Sequence, residues 1–208
     1  MTEPAPSLTW QPSLLAGASE PAIDDQFGAL TRVELDDTAW VDHAPGWVAG
    51  SDEVFHQLRD GAPWQHHVVP MYGRMVDQPR LTAWWRVEAG EPPYLPLIEE
   101  MRVALSARYG VTFDSVGLNL YRDGRDSVAW HRDRIAREID DPLVAIVSVG
   151  EPRRFLLRRG TGGTSRALLL GRGDLLVTGG STQRTWQHTV PKVAKAGPRI
   201  SITFRHGA

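Results

Sequence analysis

The chain has 208 residues, 41% of them hydrophobic and 23% charged, with a formal net charge of −2 and no cysteine. That length suits one domain with a buried core, and the absence of cysteine excludes disulfides, thiolate metal sites and cysteine nucleophiles, leaving histidines and carboxylates as metal ligands. The near-neutral total hides a split, because residues 1–60 carry 11 Asp/Glu against 2 Lys/Arg and the remainder 14 against 21.

A basic C-terminal part is compatible with a polyanionic partner, since Lys and Arg neutralising phosphates supply most non-specific nucleic-acid affinity. The bland counterpart is an acidic arm packed on a basic body, or charges that merely solvate the surface. No stretch approaches the roughly 18 apolar residues of a membrane span, and no basic region precedes a long apolar core at the N-terminus. The expectation is a cytoplasmic protein with no membrane partner.

Residues 1–28, with scattered proline, glycine and alanine, read as an irregular arm. A short strand is predicted at 30–35, a turn at Asp36-Asp37 and another at Pro45-Gly46. Ser51 is placed as the cap of a helix reaching about Arg59, with Asp52 and Glu53 in its first turn. Residues 1–60 are thus an acidic arm and scaffold packed on residues 61–208, within one structural domain.

The stretch from Trp64 to Trp85 carries His66, His67, Tyr72, Trp84 and Trp85. Aromatics there either pack or stack on a base, each stack being worth about 1 to 3 kcal/mol. Pro93 and Pro96 then open a helix whose Leu97, Met101, Ala104 and Leu105 follow at helical spacing until Gly110 stops it.

Strands are predicted at about 115–122, 127–132, 143–149, 153–159, 166–170, 174–178, 184–190 and 198–205, separated by glycine turns. The expected fold is mainly β with flanking helices, a double-stranded β-helix (jelly-roll) barrel. The arginines at 153, 154, 158, 159 and 166 read as exposed positions on a hairpin.

The chemistry concentrates between residues 117 and 133. His131 and Asp133 stand two apart on an extended segment, so both point to one face and can hold one cation. His188, on a later strand, is the best third ligand. Two histidines and one carboxylate suit Fe(II) and leave positions open for a co-substrate and dioxygen.

A period of two in residues 199–205 puts Arg199, Ser201, Thr203 and Arg205 on one face and Ile200, Ile202 and Phe204 on the other. A buried, doubly cationic face needs an anion, and guanidinium forks match carboxylates, so a dicarboxylic acid would satisfy both arginines. Asn119 and Tyr121 likewise share a face, opposite Leu118 and Leu120, and offer neutral hydrogen bonds.

The order Asn119-x-Tyr121, His131-x-Asp133, His188, then Arg199 and Arg205 in Arg-x-Ser-x-Thr-Phe-Arg resembles the AlkB-type Fe(II)- and 2-oxoglutarate-dependent dioxygenases. The likeness covers roughly residues 70–206, including Tyr-Arg-Asp-Gly after Leu120 and the run from Pro79 to Trp84.

It implies Fe(II), 2-oxoglutarate and dioxygen as cofactors of residues 61–208. It also implies oxidative dealkylation of N-alkylated bases in DNA or RNA, with an aldehyde, succinate and CO2 as products. By this resemblance Arg199 pairs with the distal carboxylate of 2-oxoglutarate beside Tyr121. Arg205 serves the metal-proximal end near Asn119, and Ser201 and Thr203 complete the co-substrate face. Arg80, Trp84, Trp85, Arg134 and Ile135 fall where the substrate would lie, and a monomer is expected.

Two departures bear on substrate. Ile135 stands where members acting on cationic lesions often carry an acidic residue, and the run from Arg86 to Pro92 leaves little room for an aromatic lid hairpin. Two other functions remain open at this stage: an oxygenase of the same chemistry acting on a protein or small molecule, and a non-catalytic module that binds alkylated nucleic acid.

Overall fold

Successive side chains on a strand point to opposite faces, so each apolar strand sorts its residues into two layers. The protein is seen here in a computed structural model that describes residues 19–71, 73–87, 94–133 and 138–207. In chain order its elements are β1 (Ala22–Ile23), β2 (Thr31–Glu34), β3 (Ala39–Ala44), β4 (Val48–Ala49), α1 (Ser51–Gly61), β5 (Val68–Met71), β6 (Arg74–Asp77), β7 (Leu81–Arg86) and α2 (Pro96–Tyr109). There follow β8 (Ser115–Tyr121), β9 (Val128–His131), β10 (Val144–Gly150), β11 (Arg153–Arg159), β12 (Arg166–Leu170), β13 (Asp174–Gly180), α3 (Thr182–Thr185), β14 (Trp186–Val190) and β15 (Arg199–Arg205).

A seven-stranded sheet runs β2-β3-β13-β10-β15-β8-β7 and a four-stranded sheet runs β12-β11-β14-β9. Within both, neighbours pair antiparallel. The seven-stranded sheet has two working faces. Ala145, Val147 and Val149 of β10, Ile200, Ile202 and Phe204 of β15, and Val116, Leu118 and Leu120 of β8 join one core with Val54, Phe55 and Leu58 of α1 and Leu97, Ile98, Met101 and Leu105 of α2. Burying each such side chain fully is worth about 1.5–3 kcal/mol.

The opposite face contributes Val144, Ile146, Leu176 and Tyr121 to a second core, shared with Phe155, Leu157, Leu170, Trp186 and Val190 of the smaller sheet. A polar cavity opens beside that second core, lined by residues of both sheets.

The expected double-stranded β-helix (jelly-roll) barrel does not form. Among the described residues no hydrogen-bonded ladder joins the two sheets, and β2, β7, β12 and β9 remain edges. Closing a barrel requires continuous pairing across each seam at a consistent tilt and stagger. Here the smaller sheet is held to the larger by interdigitated side chains instead, so the fold is an open two-sheet sandwich with α1 and α2 on one outer face.

Three further differences from expectation have local causes. Ser51 does not cap α1: the cap is Gly50, at φ 60°, and a Cβ there would meet the Ser19 carbonyl at 2.5 Å, so only glycine fits. The Trp64–Trp85 stretch contains a β5–β6 hairpin and strand β7. Residues 39–44 form β3, which pairs with β13 and extends the larger sheet. Helix α2 is as expected, with proline in its first turn, Gly110 at φ 67° ending it, and a buried Leu97–Met101–Leu105 stripe.

Candidate active site

His131 ends β9, Asp133 follows it, and His188 lies on β14 directly opposite His131 in the ladder. One ligand atom from each lies within 4.8 Å of the others. The register slips between His188 and Val190, so that three steps along β9 match two along β14. This bulge lets both Val128 and His131 line the cavity although they are an odd number of residues apart.

Nδ1 of His131 lies 2.8 Å from the Ala129 carbonyl oxygen. A carbonyl only accepts, so Nδ1 carries a proton there and Nε2 is the ring nitrogen left to face a metal. The His188 ring stacks on Phe155 at 5.1 Å between centroids and sits 4.2 Å from the His131 ring.

Electrostatics put His188 and Asp133 in the state a metal needs. His188 is pushed down to about 4, first by burial and further by His131 and Arg205, against the opposing pull of Asp133. It is therefore a neutral imidazole at physiological pH. Burial by itself would raise the Asp133 carboxyl, but the Arg205 guanidinium, His188, the hydrogen bonds from Arg205 and His131 outweigh it and hold it below the ordinary value.

Arg205 donates from Nε at 3.2 Å and Nη2 at 2.9 Å to the same oxygen, Oδ1. Oδ2 is left facing His188 Nε2 at 3.7 Å. Two imidazoles and one carboxylate, with a ligand atom of each clustered together, form a 2-His-1-carboxylate facial triad suited to Fe(II).

The cavity beside the triad has a volume of about 680 Å³. Its floor is the polar face of β15 with its neighbours on β8 and β7. Arg199 is 1% exposed and donates from Nη2 to Ser148 Oγ at 2.6 Å, while its Nε and Nη1 have no partner. The guanidinium lies 5.3 Å from the Tyr121 ring. Asn119 accepts from Arg80 Nε at 2.8 Å and donates to Ser201 Oγ at 3.3 Å. Thr203 lines the same wall.

Of the residues placed near the substrate, Arg80 and Trp84 line the cavity. Trp84 is half exposed and lies 4.9 Å from the Arg205 guanidinium. Trp85 points to the other face of β7 and is buried in the helix-side core. Arg134, Ile135 and Tyr72 lie outside the described residues.

His67 and Gln78, flanking the β5–β6 hairpin, also line the cavity. Arg153 is not the exposed hairpin residue expected: it is 2% exposed and donates to the carbonyls of Asp123, Asp126 and Pro191, pinning the loop after Tyr121. Its parity with Phe155 and Leu157 is the signal that places it inward.

Gln183 of α3 was also missed. Its Oε1 accepts the Asp133 backbone N–H at 3.1 Å, its Nε2 donates to Thr178 Oγ1 at 2.9 Å, and Thr178 donates to the Val144 carbonyl at 3.3 Å. This buried relay ties the metal carboxylate's main chain to the larger sheet. A glutamine in a four-residue helix carries no periodic signal.

A family model described as the 2OG-Fe(II) oxygenase superfamily matches residues 48–205. The chain is 31% identical over 215 residues to the human Alpha-ketoglutarate-dependent dioxygenase alkB homolog 3, covering 90% of this chain and 73% of that protein. It is 30% identical over 180 residues to the human DNA oxidative demethylase ALKBH2, covering 76% of this chain and 69% of that one. The solved structure of OsALKBH1 shares the fold with a TM-score of 0.59 at 16% identity, covering 85% of this chain and all of that one.

Proposed function

From the premise that the chain belongs to the AlkB-like family of 2OG-Fe(II) oxygenases, we propose that it is a dioxygenase that oxidatively dealkylates N-alkylated bases in DNA or RNA. The products would be an aldehyde, succinate and CO2, and the role repair of alkylated nucleic acid. One observation carries the reading: the facial triad opens on a cavity whose wall contains a fully buried guanidinium with two nitrogens left without a hydrogen bond. An unpaired buried charge is costly, and a carboxylate is the group whose geometry completes it.

The residues fit both groups. His131 Nε2, His188 Nε2 and Asp133 Oδ2 would hold Fe(II), with Arg205 fixing which Asp133 oxygen is free. Arg199 and Tyr121 would take the distal carboxylate of 2-oxoglutarate, and Asn119, Ser201, Thr203 and Arg205 would serve the end nearer the metal. Bound together with dioxygen, these groups supply the oxidising power that hydroxylates an N-alkyl carbon, which then leaves as an aldehyde. The chain's own contribution is to position and to shield: Val128, Ile146, Phe155 and Val190 line the cavity with apolar surface that excludes water beside the triad. No side-chain general base is needed.

The direct test is formaldehyde release from single- and double-stranded oligonucleotides carrying a panel of methylated bases. Release that requires both Fe(II) and 2-oxoglutarate supports the proposal. Succinate formation indifferent to every methylated oligonucleotide would move the substrate to a protein or small molecule.

A further inference from the structure

Buried polar atoms in native proteins nearly always find a hydrogen-bond partner, so one in a cavity wall that no protein group answers marks a place for a ligand. Among the described residues lining the cavity, three side chains hold buried nitrogen or oxygen atoms without such a bond: Arg199, Arg205 and Thr82. The proposed function uses the first two, for the co-substrate and for Asp133. It leaves Thr82 without a task. Thr82 is 6% exposed, and its side chain lies on the cavity face of β7 with Arg80, Trp84 and Arg86.

The main chain holds Thr82 from both sides. It pairs with Asn119 of β8 in the ladder, its N–H donates to the Gln65 carbonyl at 3.0 Å, and its own carbonyl accepts from Gln65 at 2.8 Å. The hydroxyl is therefore presented on a rigid frame, and its place in the sheet says which ligand it meets. Adjacent strands stand about 4.8 Å apart, so β7 lies roughly 10 Å from β15, the strand of Arg199 and Ser201 and hence of the co-substrate. Asn119, on the strand between them, is committed to Arg80 and Ser201. The next residue on the cavity face of β7 is Trp84, half exposed, whose ring leans over Gly117 so closely that a Cβ there would meet its Cη2 at 3.2 Å. An indole platform and a buried hydroxyl thus stand side by side on the edge strand, away from the co-substrate.

Resting on the dealkylase reading above, we infer that Thr82 is a substrate contact: its Oγ1 hydrogen-bonds the exocyclic nitrogen or oxygen beside the alkylated nitrogen of a base stacked on Trp84. The alkyl carbon has to reach the triad, so the alkylated edge of the base goes deepest into the cavity. Thr82 is the buried polar group which that edge meets on β7. A hydroxyl donates once and accepts twice, so it serves an amino group or a carbonyl alike. Stacking and hydrogen bonds to the polar edge are together how a base taken out of its strand is read.

The test compares the parent with Thr82→Val, which keeps the shape of the side chain without its hydroxyl, and with Thr82→Ser, which keeps the hydroxyl. The substrates are single-stranded oligonucleotides bearing one N1-methyladenine, N3-methylcytosine or N3-methyluracil, each with an exocyclic nitrogen or oxygen next to the methylated nitrogen. On those the parent demethylates, Thr82→Val should lower kcat/KM for the oligonucleotide about five- to tenfold, and Thr82→Ser should stay within about twofold of the parent. The KM for 2-oxoglutarate should not move, and the ligand-free melting temperature of Thr82→Val should equal or exceed the parent's, because the hydroxyl it loses bonds nothing in the free protein. A loss that falls on 2-oxoglutarate instead, a Thr82→Val protein as active as the parent or many degrees less stable, or a Thr82→Ser protein as impaired as Thr82→Val overturns the inference and leaves the dealkylase reading standing. No formaldehyde from any methylated oligonucleotide with the parent removes the dealkylase reading and this inference with it.

Discussion

Replacing Arg199 by methionine separates what this side chain does for folding from what it does for the ligand. In the folded protein the guanidinium is 1% exposed, burial pushes its pKa down, and one hydrogen bond at 2.6 Å to Ser148 Oγ is set against two unpartnered nitrogens. Losing the Ser148 contact costs about 1 kcal/mol, and removing an uncompensated buried cation returns a similar or larger amount.

Without ligand, Arg199→Met should therefore melt within a few degrees of the parent or above it. The ligand response should change far more. At 2-oxoglutarate one hundredfold above its Kd the parent gains about 2.7 kcal/mol, or about 5–10 °C for a domain of this size.

A charge-assisted pair contributes about 1.5–3 kcal/mol, so the variant's affinity should fall about 45-fold at mid-range. The same ligand concentration would then supply only about 0.7 kcal/mol, or roughly 1–3 °C. Differential scanning fluorimetry with and without 2-oxoglutarate, using a redox-inert divalent metal, reads both quantities. A variant that loses many degrees without ligand yet keeps the full shift would refute the assignment, because Arg199 would then be a structural cation.

Asp133→Ala should abolish turnover and weaken Co(II) binding in an absorption titration by at least about tenfold, since one of three ligands is lost and Arg205 is left without its carboxylate. Gln183→Ala should lower Co(II) affinity by about ten- to a hundredfold with little change in melting temperature, and Gln183→Glu, which keeps the acceptor for the Asp133 N–H, should restore much of it; equal affinities in all three proteins would reduce the relay to packing.

Asp36 is raised by burial but held below its ordinary value overall by bonds from Thr38 and the Trp186 indole and by Arg159. Its stabilisation is thus present above the unfolded carboxyl pKa and lost as pH falls through the lower folded value. Asp36→Asn should flatten that part of the acid limb in urea midpoints measured against pH.

The site was more legible than the architecture that carries it, and the reason lies in what alternation encodes. A period of two states which residues share a face, so the cationic face of residues 199–205 and the Asn119-Tyr121 pair could be read directly, and both line one cavity. Alternation does not state which strand edges meet. The pairing of β3 with β13 joins segments far apart in sequence, and the open edges that replace a barrel seam are a property of ladders, invisible in any one strand. The bulge in β9 breaks the parity on which such reading depends, and it lies one step from a metal ligand. Charge was the other source of error: Arg153 has the parity of Phe155, yet its type suggests solvent, and burial won because three carbonyls converge on it.

That conflict between type and parity recurs at the candidate site. β15 sits between β10 and β8, the least exposed place a strand can occupy, and still carries Arg199, Ser201, Thr203 and Arg205 on one face. Four apolar residues there would pack against the smaller sheet and fill the cavity, each stabilising by about 1.5–3 kcal/mol. The open sandwich makes the polar alternative tolerable. Phe155, Leu157, Trp186 and Val190 bridge the sheets through the second core, so the face beside it can stay hollow and charged without the layers separating. A variant that fills the floor with methionine at Arg199 and valine at Thr203 should therefore be more stable than the parent and empty of function. If it is instead less stable, the cavity wall is structural and its charges are answered by contacts other than a bound acid.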